Sequence, residues 1–252
     1  SSGSIEEGFV KKEYVVVGTE AEELAKEVGT RMATVITQTL RVREEAGTDS
    51  AILGLIPEGE ELVVKEEVEG WVKVSIEEGD GWVSIDYVTL RTDYVQAESK
   101  EEEQARLEKE AAARRAANAA AAKKTGSGSQ VVGNGSGSSS GRAVANFASR
   151  FVGNPYVYGG TSLTNGADCS GFVMSVYANF GVSLPHSSSA LRSVGYGVSL
   201  ADAQPGDIIC YSGHVGIYVG NNTIVHASTA KTGIKYTSPA NYRQVLAVRR
   251  IF

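Results

Sequence analysis

At 252 residues the chain is long enough for two or three compact domains, and 42% apolar residues can supply their cores. A net charge of −6 with no Lys/Arg-rich run argues against nucleic acid as the main partner, and no stretch approaches the roughly 18 apolar residues of a membrane span. Two cysteines, Cys169 and Cys210, allow at most one internal disulfide, far short of a disulfide scaffold.

The first residues, Ser1-Ser2-Gly3-Ser4, are not a basic segment followed by an apolar one, so no signal peptide is read there. Localisation has to be argued from substrate chemistry. Gly8-Phe9-Val10 with Tyr14-Val15 returns at Gly81-Trp82-Val83 with Tyr87-Val88, at the same internal spacing. That repetition predicts a duplicated small β module. Residues 1–34 are expected to be the remnant of a first copy plus a short helix (Ala21 to Val28), with the protein continuing N-terminal of Ser1.

Residues 35–94 hold the complete copy. Leu40-Arg41-Val42-Arg43, Leu62-Val63-Val64, Trp71-Val72-Lys73-Val74 and Gly81-Trp82-Val83 are strand-like, separated by turn-rich sequence such as Glu78-Gly79-Asp80. The pattern is a small antiparallel barrel. Its opening LRVR and closing GWV…DYV resemble a bacterial SH3 domain. The resemblance implies cell-wall binding through this module.

Residues 95–124 are rich in Glu, Lys, Arg and Ala, strong helix formers with Glu and Lys at spacings that permit i,i+4 pairs. Beyond Val95 at its edge, Leu107 is the only bulky apolar residue, so the expected helix is a solvated spacer of roughly 40 Å. Residues 125–141 are mostly Gly and Ser, a flexible linker. Spacer and linker together predict that the β module and the C-terminal region behave as independent domains.

From residue 142 to 252 helices come first and strands after, which predicts an α+β domain. Helices are expected at Ala143–Phe151 and Cys169–Phe180, the second stopped by Gly181. Strands are expected at Asp207–Tyr211, Val215–Val219, Thr223–His226 and Val245–Ile251. The three histidines, His186, His214 and His226, all lie here. His214 and His226 flank a short turn at Gly220-Asn221-Asn222, which would bring them together at one end of a hairpin. Cys169 opens a helix, where free backbone N–H groups and the helix dipole favour a thiolate. A thiolate, a histidine base and a polar residue orienting it are the ingredients of cysteine acyl transfer. A buried small residue is the plainer account of a cysteine at a helix start. Zinc on Cys169 and the two histidines is a third account, unsupported by any CxxC or HExxH spacing.

Local strings favour the first account. Asp168-Cys169-Ser170-Gly171-Phe172-Val173 resembles the nucleophile motif of NlpC-type cell-wall peptidases, a papain-like superfamily. Asn154-Pro155-Tyr156-Val157-Tyr158-Gly159-Gly160, Gln204-Pro205-Gly206-Asp207, Gly213-His214-Val215-Gly216-Ile217-Tyr218 and Val225-His226-Ala227 stand in the family's order. The resemblance implies Cys169 as nucleophile, His214 as base and His226 as its orienting partner. It implies that the Tyr156 hydroxyl and the Cys169 N–H stabilise an oxyanion, and that Asp168 and Ser170 bind polar groups of the substrate. Tyr156 packed under its loop is the alternative. His186 is read as a surface or supporting residue and Cys210 as a buried structural thiol, with no Cys169–Cys210 disulfide.

The implied activity is hydrolysis of the γ-D-glutamyl to diamino-acid bond of peptidoglycan stem peptides, without cofactor or metal, by a secreted, wall-associated enzyme. Two alternatives stand beside it. One is an N-acetylmuramoyl-L-alanine amidase or cross-bridge peptidase on the same fold, the other a non-enzymatic wall-binding protein. In some relatives the SH3-like module closes the substrate groove and demands a stem with a free N-terminal alanine. The linker makes that arrangement unexpected here.

Overall fold

A computed structural model describes residues 29–94 and 138–252, with a few isolated positions besides. The expected spacer helix, all but the end of the Gly/Ser linker, and the remnant before residue 29 lie outside the described residues.

In the first region, alternating apolar residues build a sheet with one buried face. Strand β5 (Trp71–Ile76) shows the rule: Val72, Val74 and Ile76 are buried and Trp71, Lys73 and Ser75 are not. With β1 (Thr30–Val35), β2 (Thr39–Arg43), β3 (Ile52–Pro57), β4 (Glu61–Val68), β6 (Gly79–Ser84) and β7 (Val88–Asp93) it forms a seven-stranded sheet, order β3-β2-β6-β5-β4-β1-β7. Every pairing is antiparallel. Ala33, Leu40, Val42, Leu62, Val72, Val74 and Val83 make its core.

The sheet starts earlier than the sequence pattern predicts. Strand β1 pairs with β7 from Thr30↔Asp93 to Val35↔Val88, so residues 30–34 belong to this module and not to a preceding remnant. Strand β3 has no period-two alternation, and its Gly54 sits where a Cβ would come 2.7 Å from Ile76 Cδ1.

In the second region, helix α1 (Ser139–Ser149) is capped by Ser138, whose hydroxyl accepts from Gly141 N. The cap moves the helix start four residues ahead of the expected Ala143. Helix α2 (Cys169–Ala178) is capped by Asp168. Two-stranded β8 (Thr161–Ser162) and β9 (Gly166–Ala167) lead into it. The main sheet has the order β10-β15-β11-β12-β13-β14. Its strands are β10 (Tyr196–Gly197), β11 (Ile208–Tyr211), β12 (His214–Gly220), β13 (Thr223–Thr229), β14 (Gly233–Thr237) and β15 (Ala247–Arg250). On one face Ile208, Cys210, Val215, Ile217 and Val225 share a core with Val144 of α1 and Phe172, Val173 and Val176 of α2. Ile209, Tyr211, Ile224 and Val248 point to the other face. Cys210 is fully buried, and both cysteines are free.

The β12–β13 hairpin closes on Asn221 and Asn222, at φ 51° and 53°. Two left-handed residues make the turn whose twist matches paired strands, and asparagine tolerates that conformation better than most residues.

The two regions are not independent. Glu60, 3% exposed, reaches from the SH3-like sheet into the second region. Its carboxylate accepts from Ser188 N (2.7 Å), Ser188 Oγ (2.6 Å) and Ser189 N (3.0 Å). Arg192 donates to the Glu61 side chain at 3.0 Å and to its carbonyl at 2.8 Å. Val63 N donates to Ser212 Oγ at 2.9 Å. A connecting chain leaves domains free only where their surfaces do not match. Here it supplies a high effective concentration for surfaces that do.

Replacing Glu60 by Ala leaves a buried amide, a half-buried amide and a buried hydroxyl without their acceptor. Denaturant unfolding of Glu60→Ala is expected to show a loss of about 3 kcal/mol. Amide exchange is expected to rise across residues 188–193. Unchanged stability and exchange would mean that this contact does not hold the regions together.

Candidate active site

Cys169 is the first residue of α2, and Asp168 before it builds the local frame. Asp168 Oδ1 accepts from Gly171 N at 2.7 Å and Ser170 Oγ at 3.2 Å, and Oδ2 accepts from Gly159 N at 2.9 Å. His186 Nε2 lies 2.9 and 3.0 Å from the two oxygens. A Cβ at residue 171 would collide with the Gly160 carbonyl, so glycine alone lets the helix start this close to the loop carrying Tyr156. Asp168 and Ser170 are 7% and 5% exposed and line the cleft beside Cys169. Their polar atoms bond within the protein and hold the start of the helix that carries Cys169. His186 supports Asp168 from behind.

The backbone of Val215 and Ser170 favours a thiolate at Cys169. As a residue Cys169 is half-buried, yet enclosure of the thiol, followed by the charges of Asp168 and Glu60, pushes it well above the usual cysteine range. This corrects the expectation of a thiolate at the helix start: the backbone there does not offset burial beside carboxylates. At rest Cys169 is held as a thiol.

His214 begins β12 and His226 lies within β13. Gly216, whose added Cβ would come 3.2 Å from that of His226, leaves space for the rings to turn toward each other. His214 Nε2 and His226 Nδ1 are 2.6 Å apart, and His226 Nε2 is 2.8 Å from Thr237 Oγ1 on β14. Burial pushes both histidines down, His214 to about 3 and His226 to about 4, against the opposing pull of Glu77. The pair is neutral near neutral pH.

Glu77 comes from the turn between β5 and β6 of the SH3-like sheet. Its side chain is 7% exposed. Oε2 is 3.8 Å from His214 Nε2, and Oε1 is 3.7 Å from His226 Nδ1. Ser228 Oγ donates to it at 2.8 Å, Tyr242 OH at 2.6 Å and Arg243 Nη1 at 3.3 Å. Burial would raise Glu77, but the histidines, Tyr242 and Ser228 pull it down to about 2. It is a carboxylate throughout the working range of pH.

Tyr156 forms a bridge with Ala167, two residues before the nucleophile, and lines the same cleft. Burial, with the charge of Cys169 second, pushes its hydroxyl up, so it remains a donor. One cleft thus gathers Cys169, His214, Tyr156, Asp168 and Ser170, while Leu55, Glu60, Glu77 and Glu78 of the SH3-like sheet form its opposite wall.

Glu77, His214 and His226 each bring one possible ligand atom within 4.8 Å of the others. Two nitrogens on one tetrahedral zinc, at ~2.0–2.1 Å each, stand roughly 3.3 Å apart. The 2.6 Å separation of His214 and His226 fits a shared proton instead.

Glu60, Glu77, Glu78 and Thr237 carry no signal in the sequence that singles them out. The acidic pair at 77–78 sits in a turn between strands, where charge ordinarily signals solvent exposure.

Comparison with known proteins adds two domains. The NlpC/P60 family profile matches residues 153–249 and the bacterial SH3 domain profile residues 38–89. A protein of Mycobacterium tuberculosis named "probable endopeptidase" is 46% identical over 90 residues, 34% of this chain and 23% of that protein. A "probable endopeptidase" of Corynebacterium glutamicum is 41% identical over 97 residues, 37% of this chain and 46% of its own length. The chain therefore spans less than half the length of either relative. The crystal structure of the P60 domain of an antigen from M. avium subspecies paratuberculosis is 28% identical, covering 44% of this chain and 97% of that domain, with a TM-score of 0.40.

The depressed histidines set a direction for acid sensitivity. Their folded values of about 3 and about 4 lie below the 6.5 of the unfolded chain. The stability they contribute is complete above pH 6.5 and is lost as pH falls toward 4, because the unfolded state binds protons first. Glu77, about 2 folded against 4.5 unfolded, adds loss in the same direction below pH 4.5. Unfolding free energy is expected to drop by a few kcal/mol between about pH 7 and pH 4. A flat profile over that range would show that the pair is not held neutral.

Proposed function

We propose that this chain, which carries an NlpC/P60 family domain at residues 153–249 and a bacterial SH3 domain at 38–89, is a peptidoglycan endopeptidase. It cleaves the γ-D-glutamyl to diamino-acid bond of stem peptides through a thiol acyl-enzyme. The observation that carries the mechanism is the hydrogen-bonded chain His214–His226–Thr237 beside Cys169.

For His214 to accept the thiol proton at Nδ1, its other nitrogen must carry hydrogen. Nε2–H then donates to His226 Nδ1, and His226 Nε2–H donates to Thr237 Oγ1. Cys169 Sγ attacks the scissile carbonyl carbon as its proton passes to His214. The oxyanion is stabilised by the Cys169 N–H, which at the start of α2 has no acceptor within its helix, and by the Tyr156 hydroxyl. Collapse breaks the C–N bond, and His214 returns its proton to the leaving amine. Water, deprotonated by His214, then releases the γ-glutamyl carboxylate and restores the thiol.

The SH3 wall changes the expected substrate. Leu55, Glu60 and Glu78 line the cleft that holds Cys169, which supports a groove closed at one side. The Glu78 carboxyl offers acceptor oxygens there, which favours a substrate bearing a donor-rich end, a stem with a free N-terminal ammonium. Among the described residues no helix is long and apolar enough to cross a membrane. Action at the wall, after secretion, is the location that this substrate requires.

Defined muropeptides read by mass spectrometry test this. Wild type is expected to split a free stem between D-glutamate and the diamino acid, to act much more slowly on a stem still joined to muramic acid, and Cys169→Ala to leave both intact. Unchanged free stem, or equal cleavage by the variant, would sink the reading. Release of the whole stem from muramic acid would replace it with the amidase.

A further inference from the structure

When His214 takes the Cys169 proton, it becomes an imidazolium at a position only 2% exposed. A buried cation needs an anion near it, or the proton returns. His226 is neutral and offers only a dipole. The Asp168 carboxylate is taken up by Gly159, Gly171, Ser170 and His186. Lys235 of β14 and Arg243, in the segment before β15, disfavour added positive charge on the pair. From α2 Cys169 and Ser170 line the same cleft as His214, and from β11 the hydroxyl-bearing ring of Tyr211 stacks 6.2 Å away. Glu78, beside Glu77 in the same turn, is raised by its own burial.

Glu77 remains. Its two oxygens straddle the His214–His226 hydrogen bond at 3.8 and 3.7 Å. Ser228, Tyr242 and Arg243 fix its orientation from the second region. We infer that Glu77, a residue of the SH3 domain, is a positioning residue for the catalytic base: it holds the two rings face to edge and supplies the negative charge against which His214 is protonated. His226 orients His214 and Glu77 neutralises it, two tasks that a single carboxylate performs in a Ser-His-Asp triad. The inference rests on Cys169 and His214 as nucleophile and base. In the step concerned, the S–H bond breaks, an N–H bond forms at His214 Nδ1, and Nε2–H stays on its His226 bond. Thiol and imidazole become thiolate and imidazolium, with no other reactant.

Alkylation of Cys169 by iodoacetamide in the full chain reads this without any wall substrate. Cys210 stays silent, being fully buried with its thiol pushed up to about 12. Glu77→Gln keeps the shape of the side chain and removes the charge. Its alkylation rate at neutral pH is expected to fall roughly tenfold and the midpoint of the rate–pH profile to rise by about one unit. Glu77→Asp should recover most of the rate, which a purely structural part for Glu77 does not predict. If Glu77→Gln fails to fold by near-UV circular dichroism, Tyr242→Phe takes its place and should shift the profile the same way by a smaller amount. Superimposable profiles in folded wild type and variant would overturn the inference. Stem cleavage measured in parallel separates the two readings. A shifted profile without cleavage removes the substrate and leaves Glu77 in place; cleavage lost in Cys169→Ala with an unshifted Glu77→Gln profile removes Glu77 alone.

Discussion

A carboxylate from one domain, buried against two histidines of the other, sets the terms for the rest of this molecule. Glu77 accepts hydrogen bonds from Ser228, Tyr242 and Arg243 while facing His214 and His226. A charge this far from water has to be met by donors, and all of these come from the catalytic domain. Glu60 repeats the logic against Ser188 and Ser189. Together the two carboxylates fix where the SH3 sheet lies on the catalytic domain, and with it the shape of the cleft around Cys169.

The same burial decides the resting chemistry. The thiol is pushed up and the imidazoles down, so both are neutral before substrate arrives. In the proposed mechanism proton transfer accompanies attack, and the site has to receive the charge it creates. In that mechanism the Tyr156 hydroxyl, which lines the cleft with Cys169, meets the negative charge on the substrate, and the His214–His226–Thr237 chain meets the positive charge. Such preorganisation costs no rearrangement at the moment of reaction.

Much of the catalytic domain is legible residue by residue, because its signals are local. Asp168 as cap and Gly181 at φ 75° as terminator delimit α2. Asn221-Asn222 announces the hairpin that brings His214 and His226 together. Strand β14 is short and lacks a clear alternation, so neither it nor Thr237 stands out from the sequence. The SH3 wall is not legible for a different reason. Glu60 meets Ser188 across 128 positions of sequence and Glu77 meets Ser228 across 151, and nothing near either glutamate marks it as buried. The low-pKa thiol fails where a local rule meets a tertiary fact: a helix start favours a thiolate only while water or an ion pair can share the charge.

The contact between the domains also bears on what a cut in the chain does. Residues 126–141 are mostly Gly and Ser, a composition that proteases accept readily. A nick there severs no part of the cleft, since Glu60 and Glu77 arrive through space and not along the backbone. What it removes is the effective concentration that the tether supplies. The nicked protein becomes a two-piece assembly whose intact cleft depends on dilution, complete when the pieces are concentrated and lost as they diffuse apart.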